Sequence, residues 1–471
     1  MSETASGTVG KQNLFSIALI IGLAGVALAL FGVWEDFSNG NSRKLFSWII
    51  GLAFWMSVAI GMLFMILLFH IFKATWPIVI RRQLEHCMTA FPVLALLFLP
   101  LIFIAHSDDD MPPPHAGNPI VHDGTVSGND GSQGTTADAG VKGEAHHVND
   151  GHGPIQKKRG LLWKWMALDG EPHHDVLLEK KEAYLNRGMF TLRFVIYFVV
   201  FCGLGLFFRH ASFSQDKDGD AKWTHISIKL ACVGIIATAL STTFAAIDWF
   251  KAIEHHWFST MYGVWYFAAP MRAALAMTVI ICFFLSTRGN LKGLHNQAHR
   301  YDLGVLMFAF TIFWAYITLS QFFLIYNADI PEETFWYNIR QFNPDNPDVK
   351  NSWYPIGMCL IFCNFLFPFF YLLFYRSKIV AKRALFIAGW ILFWQLADIY
   401  YNILPGIDPN TVAVEGAFDY TVRQFSFTGF DFASLVGIGG LCAAAFFWSR
   451  GRSEPIPICD PRILECINHH E

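Results

Sequence analysis

A few charged side chains stand inside long apolar segments of this sequence, and they are the first candidates for chemistry. They are Arg193, Asp248, Arg272, Asp398 and Asp431. A charge in an apolar surrounding is costly, so such groups face protein or water and often mark an ion or proton path. Buried carboxylates can accept protons and pass them to polar neighbours.

The same residue types also permit a purely structural interpretation. The two arginines can pair with any of the three aspartates and tie helices together without chemistry. Asp398 has the most polar surrounding, because Gln395 and Asn402 fall on the same helical face at i−3 and i+4. The spacing alone leaves both interpretations open.

The segments that carry these charges are long enough to cross a membrane. Of 471 residues, 54% are hydrophobic and only 15% are charged, which is outside the range of ordinary soluble proteins. A membrane span needs about 20 mostly apolar residues. Ten runs of this kind are present: Leu14–Trp34, Leu45–Phe72, His86–Ala105, Gly188–Arg209, Ile226–Phe250, Met261–Leu285, Tyr301–Tyr326, Pro355–Tyr375, Ala384–Leu404 and Ser426–Trp448. We therefore predict an all-α integral membrane protein of about ten transmembrane helices.

The distribution of charge between the connections predicts the orientation. With ten spans, both chain ends share one side, and that side also receives most of the basic residues. These are Lys73, Arg81, Arg82, Arg288, Lys292, Arg300, Arg376, Lys378, Lys382, Arg383, Arg450 and Arg452. The opposite connections after the seventh and ninth spans are acidic. The positive-inside rule then places both termini in the cytoplasm.

Four regions follow from these spans. Residues 1–105 hold the first three helices, 106–187 form a long periplasmic connection, 188–450 hold helices four to ten, and 451–471 form a cytoplasmic tail. From Ser107 to Gly160 the connection is rich in Asp, Gly, Pro, Thr and His and has almost no large apolar residues. Such a composition cannot bury enough surface to fold, so we predict that this connection is largely disordered.

The sequence lacks the ligand patterns of the common redox centres. Its nine cysteines include no C-x-x-C-H motif for covalent haem and no C-x-x-C run for an iron–sulfur cluster. His70 is the only clearly intramembrane histidine, and it stands near the end of its span. We expect no metal site and no covalent cofactor in this chain, so any electrons must be carried by partner proteins.

Several long strings are similar to one known family. They are AIDWFKAIEHHWFSTMYGVW at 246–265, YDLG at 301–304 and FAFTIFWAYITLSQFFLIYNADIPEET at 308–334. These strings resemble the NrfD-like membrane subunits of alternative complex III, a bacterial quinol:electron acceptor oxidoreductase. The smaller of two such subunits is the nearer likeness, given AYLNR at 183–187, the long third connection, and EPIPICDPR at 454–462 in a short tail.

The resemblance implies a fold, a location and partners. The fold is two four-helix bundles plus an extra helix pair, in the bacterial inner (cytoplasmic) membrane. The partners are a larger NrfD-like membrane subunit, a periplasmic iron–sulfur subunit, haem c subunits, other small membrane subunits and lipids, with no nucleic acid. Haem c and iron–sulfur clusters would belong to these partners, and quinone is a possible ligand here, although quinol oxidation is generally assigned to the larger subunit.

The resemblance also selects candidate site residues. Both membrane subunits of the family are proposed to contain polar half-channels for protons. The positions that match are Asp248, Arg272, Gln321, Asp398 and Asp431. We therefore expect a subunit that supports quinol or proton handling while its partners move electrons.

Two other functions stay open from the sequence. The chain can be a structural scaffold whose buried charges are helix-tying pairs. It can also be a secondary transporter, since prolines within spans, such as Pro270 and Pro368, can unwind helices as in transporters. A transporter should however show matching broken segments in two repeated halves, and no convincing internal repeat is visible.

Overall fold

Ten helical stretches of the described chain are long and apolar enough to cross a membrane, which confirms the all-α membrane fold. The computed structural model describes residues 2–39, 41–107, 161–168, 176–289, 291, 293–343, 346–406 and 422–468. The ten stretches are Asn13–Asn39, Arg43–Ile71, Ile78–His106, Arg187–Asp218, Lys222–Glu254, Tyr262–Thr287, Gln297–Ala328, Tyr354–Leu373, Ala381–Ile403 and Gly429–Arg450. Each of them overlaps one of the ten predicted spans.

The helices and strands have the following bounds. The α-helices are α1 (Ser2–Asn39), α2 (Arg43–Ile71), α3 (Ile78–Cys87), α4 (Ala90–Ser107), α5 (Val176–Glu179), α6 (Arg187–Asp218), α7 (Lys222–Trp249), α8 (Tyr262–Thr287), α9 (Gln297–Ala328), α10 (Pro331–Asn338), α11 (Tyr354–Cys359), α12 (Phe367–Leu373), α13 (Tyr375–Ile379), α14 (Ala381–Ile403), α15 (Gly429–Arg450) and α16 (Ile463–Ile467). Short 3₁₀ turns cover Lys164–Leu168 and Lys251–Glu254, and a π-helical segment, Leu360–Leu366, joins α11 to α12. Strand β1 (Phe342–Asn343) pairs antiparallel with β2 (Asn346–Lys350).

The spans form two four-helix bundles and one extra pair. The first bundle contains α2, α3 with α4, α6 and α7, and the second contains α8, α9, α11 with α12, and α14. The bundles meet chiefly along α2 and α8, while α1 and α15 pair with each other and pack on the first bundle. This is the arrangement that the family resemblance implied.

Glycines allow the closest helix contacts. Gly22 and Gly25 of α1 lie against Gly440 and Gly437 of α15, so that the two backbones touch. Small residues are typical of such contacts in membranes, where association depends on packing.

Because α1 and α15 run antiparallel, the described chain begins and ends on the same face of the molecule. We call it the terminal face.

The terminal face holds a buried cluster of charges where the sequence predicted a basic connection after the second span. Arg81 and Arg82 lie in α3 and are almost fully buried. Arg81 Nε donates to Glu85 Oε1 at 2.9 Å and Arg81 Nη2 to Asp460 Oδ2 at 2.8 Å. Helix α3 starts at Ile78, before the predicted start at His86, because Glu85 and Asp460 neutralise Arg81 inside the protein.

The tail after α15 packs across this cluster. Besides the Asp460 contact to Arg81, the Pro455 carbonyl accepts from Gln83 Nε2 at 2.7 Å. Cys466 Sγ lies 3.3 Å from His299 Nε2 of α9. The tail therefore contacts both bundles.

Part of the long third connection is folded onto the opposite face. Trp163 and Trp165 are buried against Phe190 of α6, with ring centroids 5.1 and 5.9 Å apart. The disorder predicted for this connection concerns Ser107–Gly160, which lies outside the described residues except for Ser107.

Candidate functional site

The second bundle buries an arginine and an aspartate near its centre without joining them in an ion pair. Arg272 of α8 and Asp398 of α14 are 0% and 2% exposed. Arg272 Nη1 donates to the Asn364 carbonyl at 3.1 Å, and Nη2 donates to Asn364 Oδ1 at 2.8 Å and to Gln395 Oε1 at 3.1 Å. All of these acceptors are neutral.

Asp398 is likewise held by neutral donors. Its Oδ2 accepts from Trp314 Nε1 of α9 at 2.9 Å, and its Oδ1 accepts from Asn402 Nδ2 at 3.1 Å. The Arg272 guanidinium lies 4.7 Å from the ring centroid of the same Trp314. The indole therefore contacts the arginine with its face and the carboxylate with its N–H. We call Arg272, Asn364, Gln395, Trp314, Asp398 and Asn402 the indole-bridged cluster.

A proline explains why Asn364 is available to Arg272. In an α-helix the carbonyl of residue 364 would accept from the N–H of residue 368, but residue 368 is proline and has no N–H. The chain forms the π-helical segment Leu360–Leu366 at this point, and the free carbonyl accepts from Arg272 instead. Such π-helical turns are rare and occur frequently at functional sites.

Gln321 lies farther along α9, toward the face opposite the termini. Its Oε1 accepts from Ser259 Oγ at 2.9 Å and its Nε2 donates to Tyr337 Oη at 3.1 Å. Gln321 follows Trp314 by seven residues, which is about 10 Å along the helix. Asn402 stands on the same side of Asp398, so polar groups continue from the indole-bridged cluster toward this face.

Arg340 closes this end of the second bundle, and the sequence analysis missed it. It is fully buried and donates to the carbonyls of Trp336, Tyr401 and Asn402 at 2.6, 2.9 and 3.1 Å. Burial lowers the pKa of Arg340 to about 10, so the group stays protonated at neutral pH. Its guanidinium lies 3.3 Å from the Trp336 ring centroid, and that ring stacks on Trp257. The only sequence signal was a lone arginine in an aromatic connection.

Asp248 lies in the first bundle and forms a complete ion pair. Arg193 of α6 binds it through Nε to Oδ2 at 2.7 Å and Nη2 to Oδ1 at 3.1 Å. Tyr197 Oη also donates to Oδ2 at 2.7 Å. This is one of the helix-tying pairs that the structural interpretation predicted.

Asp431 has a third, separate role at the start of α15. Its Oδ2 accepts from the backbone N–H of Thr428 at 2.7 Å in a capping box, and Arg43 Nη2 donates to the same oxygen at 2.7 Å. The Thr428-x-x-Asp431 spacing is the sequence signature of such a cap. Arg43 was not among the expected partners.

The five predicted site residues therefore do not form a single site. The structure brings Arg272 and Asp398 into one cluster and puts Gln321 beyond it in the same bundle, whereas Asp248 and Asp431 each bind their own arginine. Trp314 and Asn364 were not predicted. In the part of the chain that the structure describes, no three His, Cys, Asp or Glu side chains are grouped to hold a metal ion.

No protein-family model matches the sequence, and no curated protein matches it either.

Proposed function

We propose that this chain is a membrane subunit of a respiratory quinol:electron acceptor oxidoreductase of the alternative complex III type. In this proposal its second bundle handles protons while partner subunits carry the electrons. The observation that supports it most is Asp398, which is buried in the spanning region, held by neutral donors and joined to Arg272 through the Trp314 indole that contacts both groups.

The chemistry of Asp398 follows from its surroundings. Burial favours the protonated carboxylic acid, whereas Arg272 and the donors Trp314 and Asn402 favour the carboxylate. These opposing effects allow one proton to bind at the carboxylate and leave again without breaking an ion pair. Arg272 keeps its position in both states, because its hydrogen bonds go to Asn364 and Gln395.

The proton route follows from the polar side chains on one side of Asp398. Asn402 and then Gln321 with Tyr337 lie between Asp398 and the face opposite the termini. The buried charge of Arg340 stands at the end of this series and would repel small cations. A proton would therefore pass this end by transfer between neighbouring polar groups and not as a hydrated cation.

Partners are tested first. The full-length chain, tagged and purified in mild detergent, should bring haem c with it and reduce cytochrome c when supplied with quinol. A colourless, inactive protein that stays folded alone would contradict the proposal and favour a secondary transporter.

The role of Asp398 is tested in the intact complex. Asp398→Asn should lower quinol-dependent proton release by at least about tenfold while haem content and assembly stay normal. Asp220→Asn is the matched control, because Asp220 is an exposed carboxylate between α6 and α7. If Asp398→Asn leaves both turnover and proton release at the control level, the second bundle does not handle protons.

A scaffold is the second candidate, and two observations favour it. Arg193 with Asp248 and Arg43 with Asp431 are closed ion pairs that join α6 to α7 and α2 to α15. If none of Asp248→Asn, Asp398→Asn and Asp431→Asn changes turnover or proton release in an assembled complex, the scaffold describes the whole subunit.

A further inference from the structure

An apolar cavity of about 270 Å³ lies between α2, the start of the third span, α8 and α15. Its wall is almost entirely hydrophobic. The lining includes Trp55, Met62, Cys87, Met277, Ile281 and Phe446. The cavity extends from Gly439 in the middle of α15 to Phe447 near its end and is partly open to the surroundings of the protein.

Two arginines stand at the end of this cavity on the terminal face. Phe284 of α8 and Phe447 of α15 line the cavity, with ring centroids 6.4 Å apart. Arg288 follows Phe284 by one helical turn and Arg450 follows Phe447 by three residues. The two helices therefore bring both guanidinium groups to the same end of the apolar cavity.

These arginines lack a counter-charge among the described residues. Arg450 is 6% exposed, and its Nε has no hydrogen-bond partner. Arg288 lies close enough to repel it electrostatically, while the Arg288 guanidinium itself lies 4.8 Å from the Phe284 ring centroid. Neither arginine takes part in a salt bridge within the described chain, in contrast to Arg81 and Arg82 on the same face.

We propose that the cavity and the Arg288/Arg450 pair together bind a phospholipid with a negatively charged headgroup. The phosphate would lie between the arginines, where a charge-assisted hydrogen bond is strong, and one acyl chain would fill the cavity. Gly439 and Arg450 are separated by eleven residues, or about 16 Å of helix. This length matches one leaflet of a hydrocarbon core that is about 30 Å thick.

The two positive charges of Arg288 and Arg450 favour an anionic phospholipid as the ligand. Basic pockets between transmembrane helices at one membrane surface are typical sites for anionic lipid headgroups. A zwitterionic headgroup has no net negative charge and would bring a further positive group beside the two arginines, and a free phosphate would leave the apolar cavity unfilled. This inference does not depend on the proposed respiratory function.

Headgroup selectivity is measured by native mass spectrometry of the full chain in mild detergent. The protein is titrated with dioleoyl phosphatidylglycerol and with dioleoyl phosphatidylcholine, which carry the same acyl chains. We expect phosphatidylglycerol to bind at least about tenfold more tightly. The double variant Arg288→Gln/Arg450→Gln should bind both lipids equally, whereas Arg450→Lys should keep part of the preference. Arg376→Gln/Arg383→Gln is the matched control, because these arginines are exposed near the end of the eighth span.

The acyl-chain site is tested separately. Ala443→Phe places a ring in the cavity and should abolish tight binding of phosphatidylglycerol. Ala239→Phe, the same change at an exposed position of α7, should leave binding unchanged. Equal binding of the two lipids by the unaltered protein would overturn the proposal. Displacement by inorganic phosphate with no effect of Ala443→Phe would also overturn it and indicate a simple anion site.

Discussion

Each four-helix bundle has an aspartate within its spans that lies near an arginine of another helix, but the two bundles join these charges differently. In the first bundle, Asp248 and Arg193 form a bidentate ion pair with distances of 2.7 and 3.1 Å. In the second, Trp314 lies between Arg272 and Asp398 and contacts both of them. The ion pair fixes both charges of the first bundle, whereas Asp398 forms no such pair. In the proposed function, the same residue types therefore tie helices in one bundle and provide a titratable group in the other.

The partners of each arginine account for the difference. Arg193 lies on α6 directly beside Asp248 of α7, the next helix in the same bundle. Arg272 is held away from Asp398 by three hydrogen bonds to Asn364 and Gln395. The free carbonyl that makes one of these bonds depends on Pro368. A proline in α12 thereby helps to keep Arg272 out of an ion pair.

Breaking the ion pair of the first bundle should give the largest loss of stability. Asp248→Asn removes the counter-charge of Arg193, and breaking a buried pair costs about 3 kcal/mol or more. We expect a loss of this size in the free energy of unfolding, measured by SDS titration. The double variant Arg193→Gln/Asp248→Asn should recover part of it, because no unpaired charge remains. If Asp248→Asn were as stable as the unaltered protein, the Arg193–Asp248 ion pair would not contribute to stability as proposed.

Removing the donor that Trp314 offers to Asp398 should have the next largest effect. Trp314→Phe keeps a ring beside Arg272 but loses a hydrogen bond to a carboxylate, which is worth about 1.5–3 kcal/mol. Trp48→Phe is the matched control, because the buried Trp48 donates to the neutral carbonyl of Leu97 at 3.1 Å. The loss in the control should be smaller in the same SDS titration. Equal losses would mean that Asp398 carries no charge when Trp314 contacts it.

Acid should release the tail from the terminal face, because protonation of Asp460 removes the negative charge that binds Arg81. Burial alone would raise the pKa of Asp460, but Arg81 and Arg462 lower it to about 2 from a usual value of 3.8. Because the pKa is lower in the folded protein, the stabilisation of about 2 kcal/mol is present above pH 4 and lost as the pH falls toward 2. Pepsin is active at both ends of this range, and it should cleave the tail at pH 2 but not at pH 4.

A variant of the same residue checks this pH dependence. Asp460→Asn should loosen the tail at neutral pH, whereas Glu454→Gln should not, because Glu454 is exposed. Hydrogen exchange of α16 measures both variants. Protection that is unchanged in Asp460→Asn would show that Arg81 does not hold the tail through this carboxylate.

Replacing Asp398 should change stability least. In Asp398→Asn the side-chain amide oxygen can still accept the hydrogen bond from Trp314, and no ion pair is broken, so we expect a change within about 1 kcal/mol. When the pH is lowered so that Asp398 binds a proton, the infrared band of its carboxylic acid should appear in the unaltered protein and be absent from Asp398→Asn. The same band should persist in Asp248→Asn. If the band were lost in Asp248→Asn instead, the carboxylate that binds a proton would be in the first bundle and not in the second.

The sequence predicted the helices better than their contacts. Spans are recognised from apolar length alone, and each of the ten predicted runs overlaps an observed one. Asn402 was placed beside Asp398 because both lie on one helix, and it does donate to that carboxylate. Trp314 and Asn364 reach the cluster from other helices, and no local spacing indicates which helices pack together. Asp431 could have been assigned from its capping-box spacing, but its partner Arg43 is far away in sequence.

The docked tail has a consequence for how the molecule is made. Asp460 binds Arg81 in the first bundle and Cys466 contacts His299 in the second, yet both residues follow the ten spans found among the described residues. The ribosome therefore synthesises the tail residues that make these contacts only after α15 has been delivered to the insertion machinery. Until then the bundles have their own interhelical packing and the contacts between them, which are chiefly along α2 and α8. The terminal face therefore reaches its final packing late in biogenesis. In a nascent chain stalled before Asp460, the contacts of the tail with this face would be missing.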